Sequence, residues 1–400
     1  MEVLTMTNSC SEIMYKSVCQ MRKQMIVDPQ QKFFRLLIDG LAGNEMVNVT
    51  AASALPVSAS TVKQYIFRST IEQTETGVRY YYLPFLNGKI SRYLTLILSS
   101  GRFAKKWCKQ NFNRDAWVIV DPLVPVISVP ARLIAQKSGI KVAAVITDIP
   151  TLCTNMKGRK ENIVKRIFLS AYQHISDADL QAYDAYIPLT ESINDVVNMN
   201  NKPYIVVEGF ADSNDREISD VHENYIMYAG GLYEKYGIKT LVEAFVALNR
   251  KDLYLYLFGD GPYVDELKRI QRIYPNIRYM GCISADEVVK YEKRALLLVN
   301  PRPTNEKFAK YSFPSKTMEY LLSGTAVVST KLPGIPKEYF TYMYTFSDYT
   351  RDSILKELDD ILSRPKKEIE KMGQQGHAFV SENKNNVVMA KKIIKFLREI

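Results

Sequence analysis

Short apolar runs, too brief to be helices, recur through this chain and decide its fold class. WVIV at 117–120, VAAVI at 142–146 and ALLLV at 295–299 show almost no polar alternation. A strand without alternation has both faces buried, as in a parallel sheet covered by helices. Residues 3–6, 186–189 and 204–207 read as further strands in the first half, as do 225–228, 253–258, 277–280 and 326–328 in the second. Patterned helices such as 240–248, 264–273 and 286–293 lie between them. This alternation predicts an α/β protein built from two doubly wound, Rossmann-like domains.

Four hundred residues exceed what one core holds, so size also calls for two domains. The polar stretch GFADSNDREISDVHEN at 209–224 has no apolar period and marks the boundary. The first domain is read as residues 1–210 and the second as 211–386. Residues 387–400 form a basic amphipathic helix with Ile393, Ile394 and Leu397 on one face, expected to pack back on the first domain.

Composition removes several function classes. His174, His222 and His377 lie far apart, and the five cysteines include no CxxC pair. Neither a metal site nor a disulfide framework is expected, and scattered thiols fit a reducing cytoplasm. Glu2 and Asn8 interrupt the only N-terminal apolar run, so no signal peptide is read. The best membrane-span candidate, 117–135, holds Asp121, Pro122, Pro125, Pro130 and Arg132, and reads instead as a strand and a proline-opened helix.

The net charge is +10, and residues 84–170 alone carry fifteen basic residues against four acidic ones. Either this is a solvated face, or it meets an anionic membrane or another polyanion. Within it Arg102, Lys105, Lys106 and Lys109 flank Phe103 and Trp107, an interfacial pattern unless both rings are core. No nucleic-acid-binding motif accompanies the charge, and no nucleic acid is expected as a partner.

Open α/β sheets bind ligands outside the carboxyl ends of their strands. Three loops of the second half fall there. AGGLYEKYG after 225–228 carries Gly231 and Lys235, and GDGP after 253–258 carries Gly259 and Gly261. The third leads into KYSFPSKTMEYLLSG, where Pro314 and Ser315 open a helix that Gly324 ends. Glu319 does not occupy the reciprocal capping position behind Ser315, which is Met318.

Ser315, Lys316 and Glu319 share one helix face. Two readings fit. Lys316 and Glu319 form a surface ion pair, or the helix amides and Lys316 hold a diphosphate while Glu319 accepts hydrogen bonds from a ribose diol. In the first half, Asp148 in ITDIP orients or deprotonates an acceptor hydroxyl, or only turns the chain before Pro150. Asn8, Ser9 and Ser11, after the first strand, are candidate acceptor-side contacts. Asp177 and Asp179 imitate a DxD metal motif, but sit between a helix and a strand.

The landmarks YAGGLYEKYGIKTLVEAF, LYLFGDGPYVDELKRI, IRYMGCISADEVVKYEKRALLLVNP, FPSKTMEYLLSGTAVVST and GQQGHAFVSENKN occur in order over 225–385. Together they resemble the nucleotide-sugar-binding domain of GT-B glycosyltransferases of family 4. VITDIP and YDAYIPLTESINDVV resemble the acceptor domain of the same fold more loosely. The resemblance implies two Rossmann-like domains facing across a cleft. It implies retaining transfer from a UDP-linked sugar to a glycan or polyprenyl-linked acceptor in surface polysaccharide biosynthesis. No cofactor is implied, and the protein would be cytoplasmic or peripheral on the inner face of the membrane.

At matching positions, Glu319 corresponds to the second acid of the family's E-x7-E element, which binds the ribose. Lys235 corresponds to the basic residue beside the donor diphosphate. Ser315 and Lys316 sit where the helix mouth meets the phosphates, with Tyr311, Phe313 and Pro314 lining the donor site. Ile283 falls where the base lies against backbone. Two positions depart from the pattern. Tyr311 replaces the first acid, and Gly231-Leu232 replaces the arginine that precedes the lysine. A subset of capsule and exopolysaccharide transferases carries the same FPSK-x-x-EY variant. A GT-B-fold nucleotide-sugar epimerase and a catalytically silent scaffold subunit remain as alternatives, the second favoured by these departures.

Overall fold

A computed structural model describes residues 1–22, 29–149, 179–215, 217–219, 221–306 and 308–400. The chain divides into two compact units, Met1–Phe210 with Asn386–Ile400, and Ala211–Asn385.

The first unit holds strands β1 (Glu2–Thr7), β2 (Asn48–Ser53), β3 (Ile66–Phe67), β4 (Thr70–Gln73), β5 (Arg79–Tyr82), β6 (Phe85–Leu86), β7 (Ala116–Val120), β8 (Lys141–Ile146) and β9 (Ala185–Pro188). Seven of them form a sheet in the order β4-β5-β2-β1-β7-β8-β9, and β3 pairs with β6. The sheet is parallel except at β4–β5. Its helices include α1 (Glu12–Met21), α2 (Pro29–Ala42), α3 (Ser91–Gln110), α4 (Pro125–Lys137) and α5 (Glu191–Val197). Pro125 occupies the first turn of α4, where its missing N–H costs nothing.

In the second unit β10 (Tyr225–Ala229), β11 (Tyr254–Phe258), β12 (Ile277–Gly281), β13 (Leu297–Asn300), β14 (Val327–Thr330) and β15 (Tyr344–Phe346) form one parallel sheet. Its order is β12-β11-β10-β13-β14-β15. Around it lie α6 (Ile238–Leu248), α7 (Val264–Ile273), α8 (Ala285–Arg294), α9 (Ser315–Leu322), α10 (Arg351–Leu362) and α11 (Lys366–Asn383). Two apolar clusters cover the sheet, one around Leu241, Leu255 and Leu358, the other around Met227, Leu298 and Tyr339. The strand core is buried on both sides, as its unalternating sequence requires.

The last helix, α12 (Asn386–Glu399), belongs to the first unit. It meets α2 so closely that a Cβ on Gly40 would lie 2.2 Å from the Asn386 carbonyl oxygen.

Three readings change. Residues 204–207 do not form a strand; Tyr204 makes a single bridge to Tyr186, and Ile205 and Val207 donate only scattered hydrogen bonds to β9. Trp107 is buried and Phe103 stacks on Tyr81 at 4.5 Å, so these two rings face the core. Asp179 is buried against Arg132 at 2.7 Å, a structural ion pair; Asp177 and Pro150 lie outside the described residues. Among the described residues no helix is long and apolar enough to cross a membrane, and no group of three His, Cys, Asp or Glu could hold a metal.

Candidate active site

The strand order of the second unit reverses direction at β10, whose neighbours are β11 and β13. Connections leaving β10 and β13 therefore diverge to opposite faces, the arrangement at whose carboxyl ends open α/β sheets bind ligands. The loop after β10 carries Gly231 and Lys235, and the loop after β13 carries Arg302.

Backbone contacts fix these loops to one another. Gly230 N–H donates to the Phe258 carbonyl at 3.0 Å, Leu232 N–H to Asp260 at 2.9 Å, and Gly259 N–H to Gly281 at 2.9 Å. Gly259 has φ 125°, and a Cβ there would lie 1.9 Å from the Gly230 carbonyl oxygen. Gly261 likewise faces the Leu232 carbonyl oxygen at 2.4 Å. These two glycines thus serve loop-to-loop packing. Gly237, at φ 81°, performs the same service on the other side, where a Cβ would lie 2.1 Å from the Pro301 carbonyl oxygen. The Lys235 loop is thereby pressed against the Arg302 loop.

Two cations share one ring. The Lys235 ammonium lies 5.3 Å from the Tyr236 ring centre, and the Arg302 guanidinium lies 4.6 Å from the same ring and 4.8 Å from Phe308. Thr330 Oγ1 donates to the Arg302 carbonyl at 2.5 Å and pins its backbone. Burial pushes the nearby Tyr228 hydroxyl up to about 12, while the charges of Arg302 and Lys316 act in the opposite direction. Arg302 thus shares a ring with Lys235 and acts on the same tyrosine as Lys316. Sequence reasoning missed Arg302, although its place after a buried strand was a usable signal. It offers a guanidinium where Gly231-Leu232 leaves none.

Helix α9 brings the third cation. Its N-cap is Pro314, not Ser315, and no side chain caps it. Pro314 holds φ at −66°, so Ser315 is already helical and its hydroxyl is not in capping position. Uncapped first-turn amides and the helix dipole favour an anion at this end. Ala229 N–H donates to Tyr320 Oη at 2.8 Å, tying α9 to the end of β10.

The Lys316 ammonium sits 2.9 Å from Glu319 and 3.7 Å from Glu292. Burial disfavours its charge, but Glu319 and then Glu292 outweigh that and hold its pKa above the usual lysine range. Glu292 on α8 is 1% exposed at its side chain, whereas Glu319 is 24% exposed. Glu292 was also missed. Its signal was position, since it shares the apolar face of α8 with Val288, Tyr291 and Ala295.

The other candidates separate. Tyr311 lies in a short 3-10 turn with Lys310 stacked on its ring at 4.7 Å. Phe313 is buried against Tyr339, at 5.4 Å between ring centres, and is a core residue. Ile283 packs at the edge of the core beyond the end of β12. In the first unit Asn8, Asp121 and Asp148 follow the parallel strands β1, β7 and β8, at one sheet edge. Asp148 is half-buried and its carboxylate accepts from the Ile149 N–H at 2.8 Å. Ser9 and Ser11 are buried and hold the loop. Ser9 Oγ donates to the Gln31 carbonyl at 3.1 Å, and Ser11 caps α1 and donates to Glu72 at 2.7 Å.

Residues 223–354 match the glycosyl transferases group 1 family. Sucrose-phosphate synthase from Thermosynechococcus elongatus is similar over 100% of this chain and 98% of its own, at 14% identity and TM-score 0.63. The E. coli trehalose-6-phosphate structure bound with UDP-2-fluoro glucose covers 100% and 99%, at 10% identity and TM-score 0.64. HepE of Anabaena in complex with UDP covers 100% of both chains, at 10% identity and TM-score 0.59. The chain carries the GT-B glycosyltransferase fold, and its second unit holds a group 1 glycosyltransferase domain. No curated protein matches the sequence. The residues around β10, β13 and α9 all lie within the matched segment of this glycosyltransferase domain.

Proposed function

We propose that the chain is a retaining hexosyltransferase, moving a sugar from a UDP-linked donor to a glycan or polyprenyl-linked acceptor in surface polysaccharide synthesis. In this reading it works in the cytoplasm, peripheral to the inner face of the membrane. One observation carries the reading: Lys235, Arg302 and Lys316 gather at the switch point beside an uncapped helix mouth, with Glu319 one turn inside it. Positive charge suits a leaving diphosphate, and the partly exposed carboxylate suits the ribose diol. The UDP and UDP-2-fluoro glucose held by two similar structures support uridine as the base.

Catalysis in this scheme is charge stabilisation of the departing diphosphate together with positioning. Lys235 and Arg302 neutralise the developing charge from the β10 and β13 loops. Lys316 does so from α9, kept in place by the buried Glu292 when Glu319 turns to the sugar. The diphosphate takes the proton of the incoming hydroxyl on the face it leaves. Asp148 is assigned to orienting the acceptor.

A thermal-shift panel of UDP, GDP, ADP and UDP-sugars tests the donor, since selective binding raises the melting temperature. Stabilisation by GDP and not UDP would overturn the uridine assignment. Donor consumption without any acceptor would favour an epimerase, and the absence of both transfer and UDP-sugar hydrolysis would favour a scaffold.

A further inference from the structure

Helix α3 carries an unusual surface. Its exposed large apolar residues are Tyr93, Leu94, Ile97 and Leu98, and Ile90 just before it is 73% exposed. Leu94 and Leu98 are 58% and 55% exposed. The spacing 90, 94, 97, 98 keeps them on one face. Tyr65 extends the patch at the start of the helix, its hydroxyl 3.3 Å from Ser91 Oγ. Isolated exposed apolar side chains are ordinary, but a contiguous stripe marks a contact surface.

The charge on the helix indicates what it contacts. Its twenty residues include Arg92, Arg102, Lys105, Lys106 and Lys109 and no acid. Arg102, Lys105, Lys106 and Lys109 are exposed on the turns that follow the apolar stripe, and Lys89 is exposed before it. The core side of the helix is taken by Leu96, Ala104 and Trp107. Apolar residues on one exposed face beside uncompensated cations match a surface of hydrocarbon below anionic headgroups. A protein partner would have to present an apolar groove of matching shape ringed by acids. A lipid bilayer supplies the apolar interior and the negative charge without any demand on shape.

We propose that the exposed face of α3, centred on Leu94, Ile97 and Leu98, docks the first unit on a bilayer carrying anionic lipids. The cations draw the helix to the surface and the apolar stripe enters below the headgroups. The inference deepens the reading of a lipid-linked acceptor, but it is tested without donor or acceptor.

The test is flotation of the full chain with phosphatidylcholine vesicles and with vesicles containing phosphatidylglycerol. The expected result is binding to the anionic vesicles, weakened at least tenfold for them by Leu94→Gln/Leu98→Gln and by Lys105→Gln/Lys109→Gln. Both double variants change exposed side chains, so circular dichroism and UDP-sugar hydrolysis should stay as in the parent. No binding by the parent, or equal binding by the variants, overturns the proposal. A dimer in sedimentation that Leu94→Gln/Leu98→Gln dissolves, with no vesicle binding, assigns the face to a second copy instead. Hydrolysis of UDP-sugar reports on the donor site alone, so failure of docking is distinguishable from failure of the transferase reading.

Discussion

Glu292 and Glu319 share a single ammonium, that of Lys316, at 3.7 Å and 2.9 Å, yet one is buried and the other partly open. The pairing gives the two acids different work. In the proposed reading the buried one holds the cation, and the open one exchanges the cation for a sugar hydroxyl.

Glu319→Ala should therefore lower kcat/KM for transfer by at least ~100-fold, as loss of two charge-assisted hydrogen bonds to the ribose diol, each worth roughly 1.5–3 kcal/mol, allows. Its folding stability should change by less than about 0.5 kcal/mol, the scale of a helix-surface pair. Kinetics beside urea denaturation check both halves. Parent-like turnover would remove Glu319 from the donor site.

Lys316→Met should behave oppositely on stability. It leaves the Glu292 carboxylate buried without its ammonium, a loss of about 3 kcal/mol. Adding Glu292→Leu to Lys316→Met should restore most of that loss, because no buried charge then remains to be compensated. Chemical denaturation of the two variants decides it.

Arg302→Ala should weaken UDP binding about 10- to 100-fold with little loss of stability. Arg302→Lys should recover only part, since an ammonium keeps the charge but not the planar stacking on Tyr236 and Phe308. Calorimetric titration with UDP measures both. Unchanged affinity in Arg302→Ala would return the guanidinium to a purely structural role.

Cys282 is exposed and immediately precedes Ile283, so in the proposed reading it is a reporter for the base. Burial and then Asp260 raise its thiol pKa, so less thiolate is present at neutral pH than for an ordinary cysteine. Labelling at this thiol should accelerate as pH rises beyond the usual thiol range, because the thiolate is the nucleophile. UDP should slow it, and ADP should not. Cys10 and Cys108 are buried and should label only on unfolding.

Gly259→Ala should destabilise by more than ~3 kcal/mol or prevent folding, since its Cβ would overlap the Gly230 carbonyl and its φ is 125°. A melting curve on purified variant, or loss of soluble protein, reports it. Gly231→Ala, whose Cβ meets only the rings of Tyr233 and Tyr236 at 3.0–3.1 Å, should be milder.

Most of the sheet was legible because strands such as β7, β8 and β13 are apolar throughout, and segments that short and that apolar rarely form anything but buried strands. β2 was not, since NVTAAS is built from small and polar residues; β4 is a mostly exposed edge strand, and β5 beside it alternates. Helix spacing placed Lys316 and Glu319 on one face, where they pair at 2.9 Å, but it left their role open; the family resemblance chose the donor reading and assigned Lys235 to it. Glu292 was not singled out, because a charge near the end of a polar helix reads as surface, although its spacing from Val288, Tyr291 and Ala295 puts it on the face that the packing of α8 turns inward. Ser315 was misread as a cap because a serine at a helix mouth is the commoner solution, and Pro314 displaced it by one residue. Ser9 and Ser11 looked available because their sequence neighbours are loop-like. Their partners, Gln31 and Glu72, lie too far along the chain for local pattern to reveal.

The return of α12 to α2 has a consequence for biogenesis. A ribosome delivers residues 1–210 long before Asn386, whose carbonyl oxygen lies where a Cβ on Gly40 would go. Until that last helix emerges, the side of α2 it will cover, next to Gly40 and Gly43, stays open to water. The nascent first unit thus lacks one of its packing helices throughout the synthesis of the second. Cutting the gene at the boundary between the units would make that transient state permanent.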